Sequence, residues 1–388
     1  MFKEIPLSQL TVGMFVESSG DGSYRQPRQF LRDYVHTRAF IENLKAQGVT
    51  TVTVDESKTK KDHLPDSPQT VPQVSQPETR VGMDAARRVY THCLNHVTDV
   101  MRKVRAGIEV DFVRSYEAVD TLMLGMEENP ASMVLLAKLQ RYDDYTLRHS
   151  LNVSLMGLLF GKYLGLPAGQ LRALGFAGLF HDVGKFKIPL EILNKPGRLS
   201  EREFEVMKHH CRIGYEMLKD HPGVTEEVLL GVLHHHERYD GRGYPYNLRG
   251  GEKDPFSRIL TIVDIYDALT SARCYKKANT PHESIKAMFT WRNESFHPGL
   301  LEKFVECFGV YPPGSLVRLS DQTCGLVAEA RPSNPSRPLV KVSFSRKLVP
   351  QIPILIDLAE TPKAAQGGLD IEACLDPLTL GITLERFI

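Results

Sequence analysis

No two of the six cysteines (Cys93, Cys211, Cys274, Cys307, Cys324 and Cys374) stand in a CxxC pair. Their scatter argues against a zinc ribbon, a thioredoxin-type redox motif and a dense disulfide framework, and it fits a reducing cytoplasm best. Charge of one dominant sign is lacking too. The 48 Lys and Arg against 47 Asp and Glu leave a formal net charge of +1, so nothing draws the whole chain to DNA or anionic lipid, and a polyanion must meet a local positive cluster. Met1-Phe2-Lys3-Glu4-Ile5-Pro6 lacks the apolar core of a signal peptide. The most apolar stretch, residues 151–166, is broken by Asn152 and Lys162 and is too short to span a bilayer. Internal repeats, a receiver-type aspartate and a haem motif are missing. These absences leave a soluble protein with no membrane or DNA partner, whose 388 residues suffice for two or three domains and whose 42% hydrophobic share can fill a core.

Periodicity divides the chain. Leu31, Tyr34, Val35, Ile41 and Leu44 recur at roughly helical spacing and predict a helix over 31–47 ending near Gly48. The β-branched run 49–54 predicts a strand, so residues 1–55 read as a small α/β module. Residues 56–80 carry Lys58, Lys60, Lys61, Pro65, Pro68, Pro72 and Pro77 among Ser, Gln and Thr, a composition with too little apolar surface to offset ordering, and read as a linker. Val89, Cys93, Val97, Val100, Met101 and Val104 predict an amphipathic helix. A second helix over 112–126 completes the connecting segment 81–130, with Pro130 opening the next element. Residues 131–311 read as successive helices. From Pro312 to the end the pattern turns to period two in Leu316, Val317 and Leu319, in Leu339, Val340, Val342 and Phe344, and in Ile352, Ile354 and Ile356, predicting a small β module over 312–388.

The chemistry concentrates in the helical block. His149, His181-Asp182, His210, His235-His236, Asp264 and Asp267 fall within it, and imidazole with carboxylate suits divalent Fe, Mn or Zn, whereas Mg or Ca would want oxygen alone. A lone histidine on a helix is more often structural than a ligand. His92 and His96 stand at i, i+4 without a third ligand nearby and are assigned to a solvated helix face. Adjacent pairs differ, because neighbours on a helix point about 100° apart and cannot both enter an apolar core comfortably, whereas both can reach a metal cluster at its flank. A buried carboxylate such as Asp182 could bridge two cations, and two ions that polarise a water and a phosphoryl oxygen point to phosphodiester hydrolysis.

The order His149, His181-Asp182, Asp264 resembles the HD phosphohydrolase superfamily. Longer motifs narrow the likeness to its HD-GYP subgroup: His181-Asp182-Val183-Gly184-Lys185, then Ile188-Pro189 and Ile192-Leu193-Asn194-Lys195-Pro196-Gly197. His235-His236-Glu237-Arg238-Tyr239-Asp240-Gly241-Arg242-Gly243-Tyr244-Pro245 contains the motif that names the subgroup, and Asp264-Ile265-Tyr266-Asp267-Ala268-Leu269-Thr270-Ser271, with Arg273, Tyr275 and Lys276, completes it. The resemblance implies a mainly α protein: an all-α HD-type catalytic domain flanked by the two small modules. It implies hydrolysis of the bacterial messenger cyclic di-GMP to pGpG, GMP or both, by a hydroxide activated at two divalent transition metals, iron or manganese. Gly13-Met14-Phe15-Val16 and residues 48–55 are similar to an uncharacterised domain often found ahead of HD-GYP domains.

Carried over by position, His149, His181, Asp182 and Asp264 would hold one metal and His210, His235 and His236 the other, with Asp182 bridging. Lys185 would meet a non-bridging phosphate oxygen, where a fixed ammonium stabilises developing charge. Asp267 would act behind the ligands or handle a proton, and Arg273 and Lys276 would contact phosphates or guanine. Gly243, Tyr244 and Pro245 would form the substrate pocket or a protein-contact surface. Some members carry a Glu four residues before the first ligand His that helps bind a third metal. Here that residue is Tyr145, and a phenol with a pKa near 10 is a poor ligand, so two metals are expected. The alternatives are a catalytically silent module that binds a cyclic dinucleotide or a diguanylate-cyclase-type protein, a phosphodiesterase of cyclic GMP-AMP, and a mononucleotide-acting HD nucleotidase. The intact ligand set argues against the first and the Gly243-Tyr244-Pro245 segment against the last. A homodimer is a further partner expectation.

Overall fold

The computed structural model describes residues 2–11, 14–20, 29–35, 41, 44–45, 49–55, 76–139, 145–271, 278–377, 380 and 382. These divide into two compact units, one of Met1–Val74 with Ser343–Ile354, the other of Ser75–Val342 with Leu355–Ile388.

In the first unit β1 (Phe2–Pro6), β2 (Phe15–Gly20), β3 (Gln29–Tyr34) and β4 (Thr51–Asp55) form an antiparallel sheet in the order β1-β4-β2-β3. Alternate residues such as Ile5, Val16, Val52 and Val54 fill its core, with Leu7, Leu10, Val35 and Leu44. The helix expected over 31–47 is corrected in its first part. Residues 29–34 are a strand, with Tyr34 opposite Phe15 and Phe30 opposite Ser18, because ladder pairing outweighs a loose helical spacing in so short a run. Gly48 and residues 56–75 of the expected 56–80 linker lie outside the described residues, and residues 76–80 are helical instead.

The second unit opens on α1 (Gln76–Ala106). Its buried residues Met83, Ala86, Tyr90, Cys93, Val97, Val100 and Val104 follow at alternating steps of three and four, one continuous stripe of a helix. A 3₁₀ turn at Phe112–Arg114 leads to α2 (Ser115–Glu128), and α3 (Pro130–Leu139) begins at the expected proline. The centre of the unit is the pair α4 (Tyr145–Tyr163) and α5 (Ala168–Phe180). They approach closely at Gly178, where a Cβ would come 2.8 Å from Ser154 Cα. A 3₁₀ turn at Val183–Lys187 and the short α6 (Leu190–Leu193) lead into α7 (Glu201–Lys208), α8 (His210–Leu218) and α9 (Glu226–His234).

Next, α10 (Pro255–Thr270) is capped by Asp254, which accepts from Ser257 N–H, and α11 (Pro281–Thr290) is capped by Thr280. The helices end with α12 (Arg292–Ser295) and α13 (Leu300–Phe308). No helix among the described residues is long and apolar enough to cross a membrane. The last strands, β5 (Leu316–Leu319), β6 (Cys324–Glu329), β7 (Leu339–Phe344), β8 (Pro350–Asp357) and β9 (Ile371–Leu375), form one sheet in the order β8-β7-β6-β5-β9. β6 and β9 were not legible from alternation: residues 324–327 are buried throughout, and β9 at the sheet edge mixes Glu372 into a half-buried run.

Candidate metal centre

Five helical segments deliver the ligand-type side chains to one point. His149 stands on α4, His181-Asp182 at the end of α5, His210 at the start of α8, His235-His236 at the end of α9, and Asp264 and Asp267 one turn apart on α10. Close backbone approach makes this convergence possible. A Cβ on Gly184 would sit 2.0 Å from His210 O, so only glycine lets the turn after Asp182 lie on the first turn of α8. His181, His210 and His235 are fully buried, Asp182 is 1% exposed, and His236 is half-buried.

Hydrogen bonds set which ring nitrogen faces inward. His181 Nδ1–H donates to Gly178 O (2.7 Å), His210 Nδ1–H to Met207 O (2.8 Å) and His235 Nδ1–H to Val232 O (2.7 Å). A carbonyl oxygen can only accept, so each neutral ring carries its proton on Nδ1 and presents a bare Nε2. Those lone pairs meet Asp182. Its Oδ2 lies 3.2 Å from His181 Nε2 and 3.7 Å from His149 Nε2, and its Oδ1 lies 3.3 Å from His210 Nε2 and 3.7 Å from His235 Nε2. The Nε2 atoms of His210 and His235 are 3.4 Å apart. In the neutral rings of His181, His210 and His235 these are contacts of lone pair on lone pair, and His181 Nε2 and Asp182 Oδ1 have no hydrogen-bond partner. Buried acceptors without donors are costly. Divalent cations satisfy all of them at once, and the mixed N and O donor set fits a transition metal.

The ligand atoms fall into overlapping groups, each within 4.8 Å: Asp182, His210, His235 and His236; His149, His181 and Asp182; and His181, His235 and Asp264. Asp182 is common to the first two and turns one oxygen toward each. Charge states suit metal binding, which needs neutral imidazole and ionised carboxylate. Burial, aided by His181 and His210, pulls His235 down to about 4 against the opposing influence of Asp182. Burial and His235 hold His236 well below its usual value. Burial would raise Asp182, but His181 and Lys185 hold it well below the carboxylate range, and His149 does the same for Asp264. His149 is the exception. Burial pushes it down, but Asp264 (3.0 Å from Nε2) and Asp267 (2.7 Å from Nδ1) more than reverse this and raise it to about 9. In the metal-free protein a proton occupies the place that a cation would take.

Residues 133–299 match the family described as HD domain, and residues 2–114 match a domain of unknown function, DUF3391. A cyclic di-GMP phosphodiesterase of Pseudomonas aeruginosa is 34% identical over 94% of this chain and 90% of its own length. The chain belongs to the HD-GYP family. Other relatives match over less. The cyclic di-GMP phosphodiesterase response regulator RpfG of Xanthomonas campestris is 43% identical over 36% of this chain and 37% of its own length. A 3'3'-cGAMP-specific phosphodiesterase of Vibrio cholerae is 37% identical over 42% of this chain and 38% of its own length.

Around the candidate ligands lie groups that the sequence singled out, Asp267 among them, and others, Asn152 and Tyr90, to which it gave no role. Asp267 sits behind His149, and its second oxygen accepts from Asn152 Nδ2 (3.0 Å). Asn152 in turn accepts from Tyr90 O–H (2.9 Å) and donates to Ala137 O (3.2 Å). Asn152 looked like an interruption of an apolar run; its spacing of three from His149 was the available signal. His96 is corrected from a solvated helix face: it is half-buried, with Nε2 2.9 Å from Ser115 Oγ. Lys185 Nζ bonds Asp182 Oδ2 at 2.6 Å while its side chain stays 24% exposed, at the boundary of centre and solvent. Tyr244 lays its ring 4.7 Å from that of His236 at 34°. Arg273, Lys276 and the side chain of Tyr145 lie outside the described residues.

Proposed function

We propose that this chain is a metal-dependent phosphodiesterase that hydrolyses cyclic di-GMP to pGpG, GMP or both, at a pair of iron or manganese ions. One observation carries the reading: imidazole Nε2 atoms, whose Nδ1 atoms are turned to backbone carbonyls, converge on both oxygens of a buried carboxylate. The Pseudomonas relative, aligned over 94% of the chain and named for cyclic di-GMP, supports that substrate over 3'3'-cGAMP. The complete ligand set argues against a silent binding module.

When bound, two divalent cations polarise a phosphoryl oxygen and lower the pKa of an attacking water. The chain's own residues hold and orient them. His149, His181 and Asp264 would serve one ion and His210, His235 and His236 the other, with Asp182 shared. The 2.6 Å bond from Lys185 to Asp182 keeps an ammonium beside the centre, where it can meet a non-bridging oxygen as charge builds. Asp267 orients His149 through Nδ1. Arg273 and Lys276 would meet phosphate or guanine, and Tyr244 would line the pocket. Cys93, Cys211, Cys307 and Cys324 form no disulfide, which supports a reducing, cytoplasmic setting.

Purified wild-type protein should contain iron or manganese and cleave cyclic di-GMP faster than cyclic GMP-AMP. Asp182→Ala should lose both metal and turnover, since one carboxylate serves both ions. Wild-type metal content with retained activity in the variant would overturn the assignment.

A further inference from the structure

Beyond its ligands, the segment after His235-His236 is held by a buried polar network that metal binding alone does not require. Gly243 folds back so closely that a Cβ would lie 2.3 Å from Arg238 N and 2.4 Å from Glu237 Cα. Tyr244 N–H donates to His236 O (3.3 Å), and its ring packs on His236. Fully buried Glu237 secures the outgoing limb: Oε1 accepts from Tyr246 N–H (2.6 Å) and Oε2 from Leu248 N–H (3.0 Å). Lys253, 5% exposed, donates from Nζ to Glu237 O (2.8 Å) and Thr261 Oγ1 (2.5 Å), and the Thr261 hydroxyl stands 2.7 Å from His235 O.

The side chains of Glu237 and Lys253 are thus buried around a loop that apolar residues could fill without the desolvation cost. His236 explains the need. The rings of His149, His181, His210 and His235 are each fixed at Nδ1 by Asp267 or a carbonyl. His236 instead turns Nδ1 inward, 3.7 Å from Asp264 Oδ2, and packs between the rings of His235 and Tyr244. We propose that Glu237 and Lys253 are positioning residues, which clamp the 243–248 loop so that Tyr244 sets the ring plane of His236. The inference rests on the metal-centre reading above.

The test is a double-mutant cycle on the full chain, read as Mn²⁺ affinity by chelator competition and as kcat on cyclic di-GMP and bis(p-nitrophenyl) phosphate. Glu237→Gln keeps the shape but leaves only one acceptor oxygen for two loop N–H groups. It should weaken Mn²⁺ binding and lower kcat by about tenfold each, the lower end for groups that orient a ligand. In a Tyr244→Ala background the same substitution should change either readout less than twofold, because its effect passes through that ring. Lys253→Met should behave as Glu237→Gln does and carries the cycle if that variant does not fold. Additive losses would overturn the clamp, and so would failure of both variants to fold, since the pair would then serve the fold as a whole. A wild type that binds Mn²⁺ but cleaves neither substrate sinks the functional reading alone, because the cycle is still read in metal affinity.

Discussion

Asp267→Asn separates orientation of a ligand from ligation itself. The wild-type carboxylate accepts from His149 Nδ1 at 2.7 Å and from Asn152 Nδ2 at 3.0 Å, and Tyr90 O–H closes the chain on Asn152 Oδ1 at 2.9 Å. A carboxamide at 267 has the same volume but one acceptor. If it serves His149, its NH₂ faces the NH₂ of Asn152. If Asn152 flips in response, Ala137 O loses its donor. In either case one buried polar group loses a partner, which costs about 1–3 kcal/mol of folding stability.

The effect on metal is distinct. Hydrogen bonds to charged groups are worth roughly 1 kcal/mol more than neutral ones, and a less basic, less firmly held His149 should bind metal about tenfold more weakly. Proton competition adds a pH signature. Asp264 and Asp267 outweigh burial to hold His149 protonated up to about 9 in the metal-free protein. Below that pH each binding event must displace one proton, so wild-type affinity should rise by about a factor of ten per pH unit and level off above it. The variant lacks one of the two charges and should level off earlier. Its deficit is therefore largest above pH 9 and shrinks toward pH 7, where the wild type is penalised more by its tightly held proton. Chelator-buffered Mn²⁺ titrations across this range, with thermal unfolding of the metal-free proteins, check both parts. Equal affinities above pH 9, or a wild-type affinity flat between pH 7 and 9, would refute the reasoning.

Lys185→Ala removes no ligand and should retain wild-type metal content while slowing hydrolysis by about ten- to a thousandfold; unchanged turnover would reduce Lys185 to a counter-ion of Asp182. Tyr145→Glu puts a carboxylate one turn before His149 on α4, and anomalous scattering from metal-loaded crystals should find a third ion in the variant and two in the wild type. Three ions in the wild type would overturn the two-metal proposal, and two in both would move control of the third site elsewhere. Removing residues 1–75 leaves α1 and every ligand, so the product should keep its metal. It should also melt earlier, because Ile352 packs on the removed core. Metal loss or an insoluble product would show that the first unit is needed to build the centre.

The cluster of candidate ligands was legible in the sequence because metal chemistry admits few residue types, and adjacent pairs such as His181-Asp182 and His235-His236 have no comfortable place in an ordinary helix packed against a core. The helical block was legible for a related reason: the stripe from Met83 to Val104 repeats at three and four residues over most of α1. Where the pattern was short it failed, as at residues 29–34, whose strand conformation depends on a partner elsewhere in the chain.

The groups that orient the ligands failed to announce themselves for a different reason. Asn152, Tyr90 and Lys253 are common residue types to which the sequence gave no role, and their meaning lies in approaches across the fold: Tyr90 to Asn152 over 62 residues, Asn152 to Asp267 over 115. A ligand must offer a lone pair of a particular kind, so its identity is restricted. An orienting group must only hold another group still, and a carbonyl does this for His181 while a carboxylate does it for His149. Many sequences satisfy that demand, so motifs record it only in part, at Asp267 and Glu237 but not at Asn152, Tyr90 or Lys253. The same freedom makes these positions the places where members of one family can differ in metal affinity and pH response while every ligand stays the same, and Asp267→Asn, with its opposite effects on ligand strength and proton competition, is the variant in which that separation can be measured.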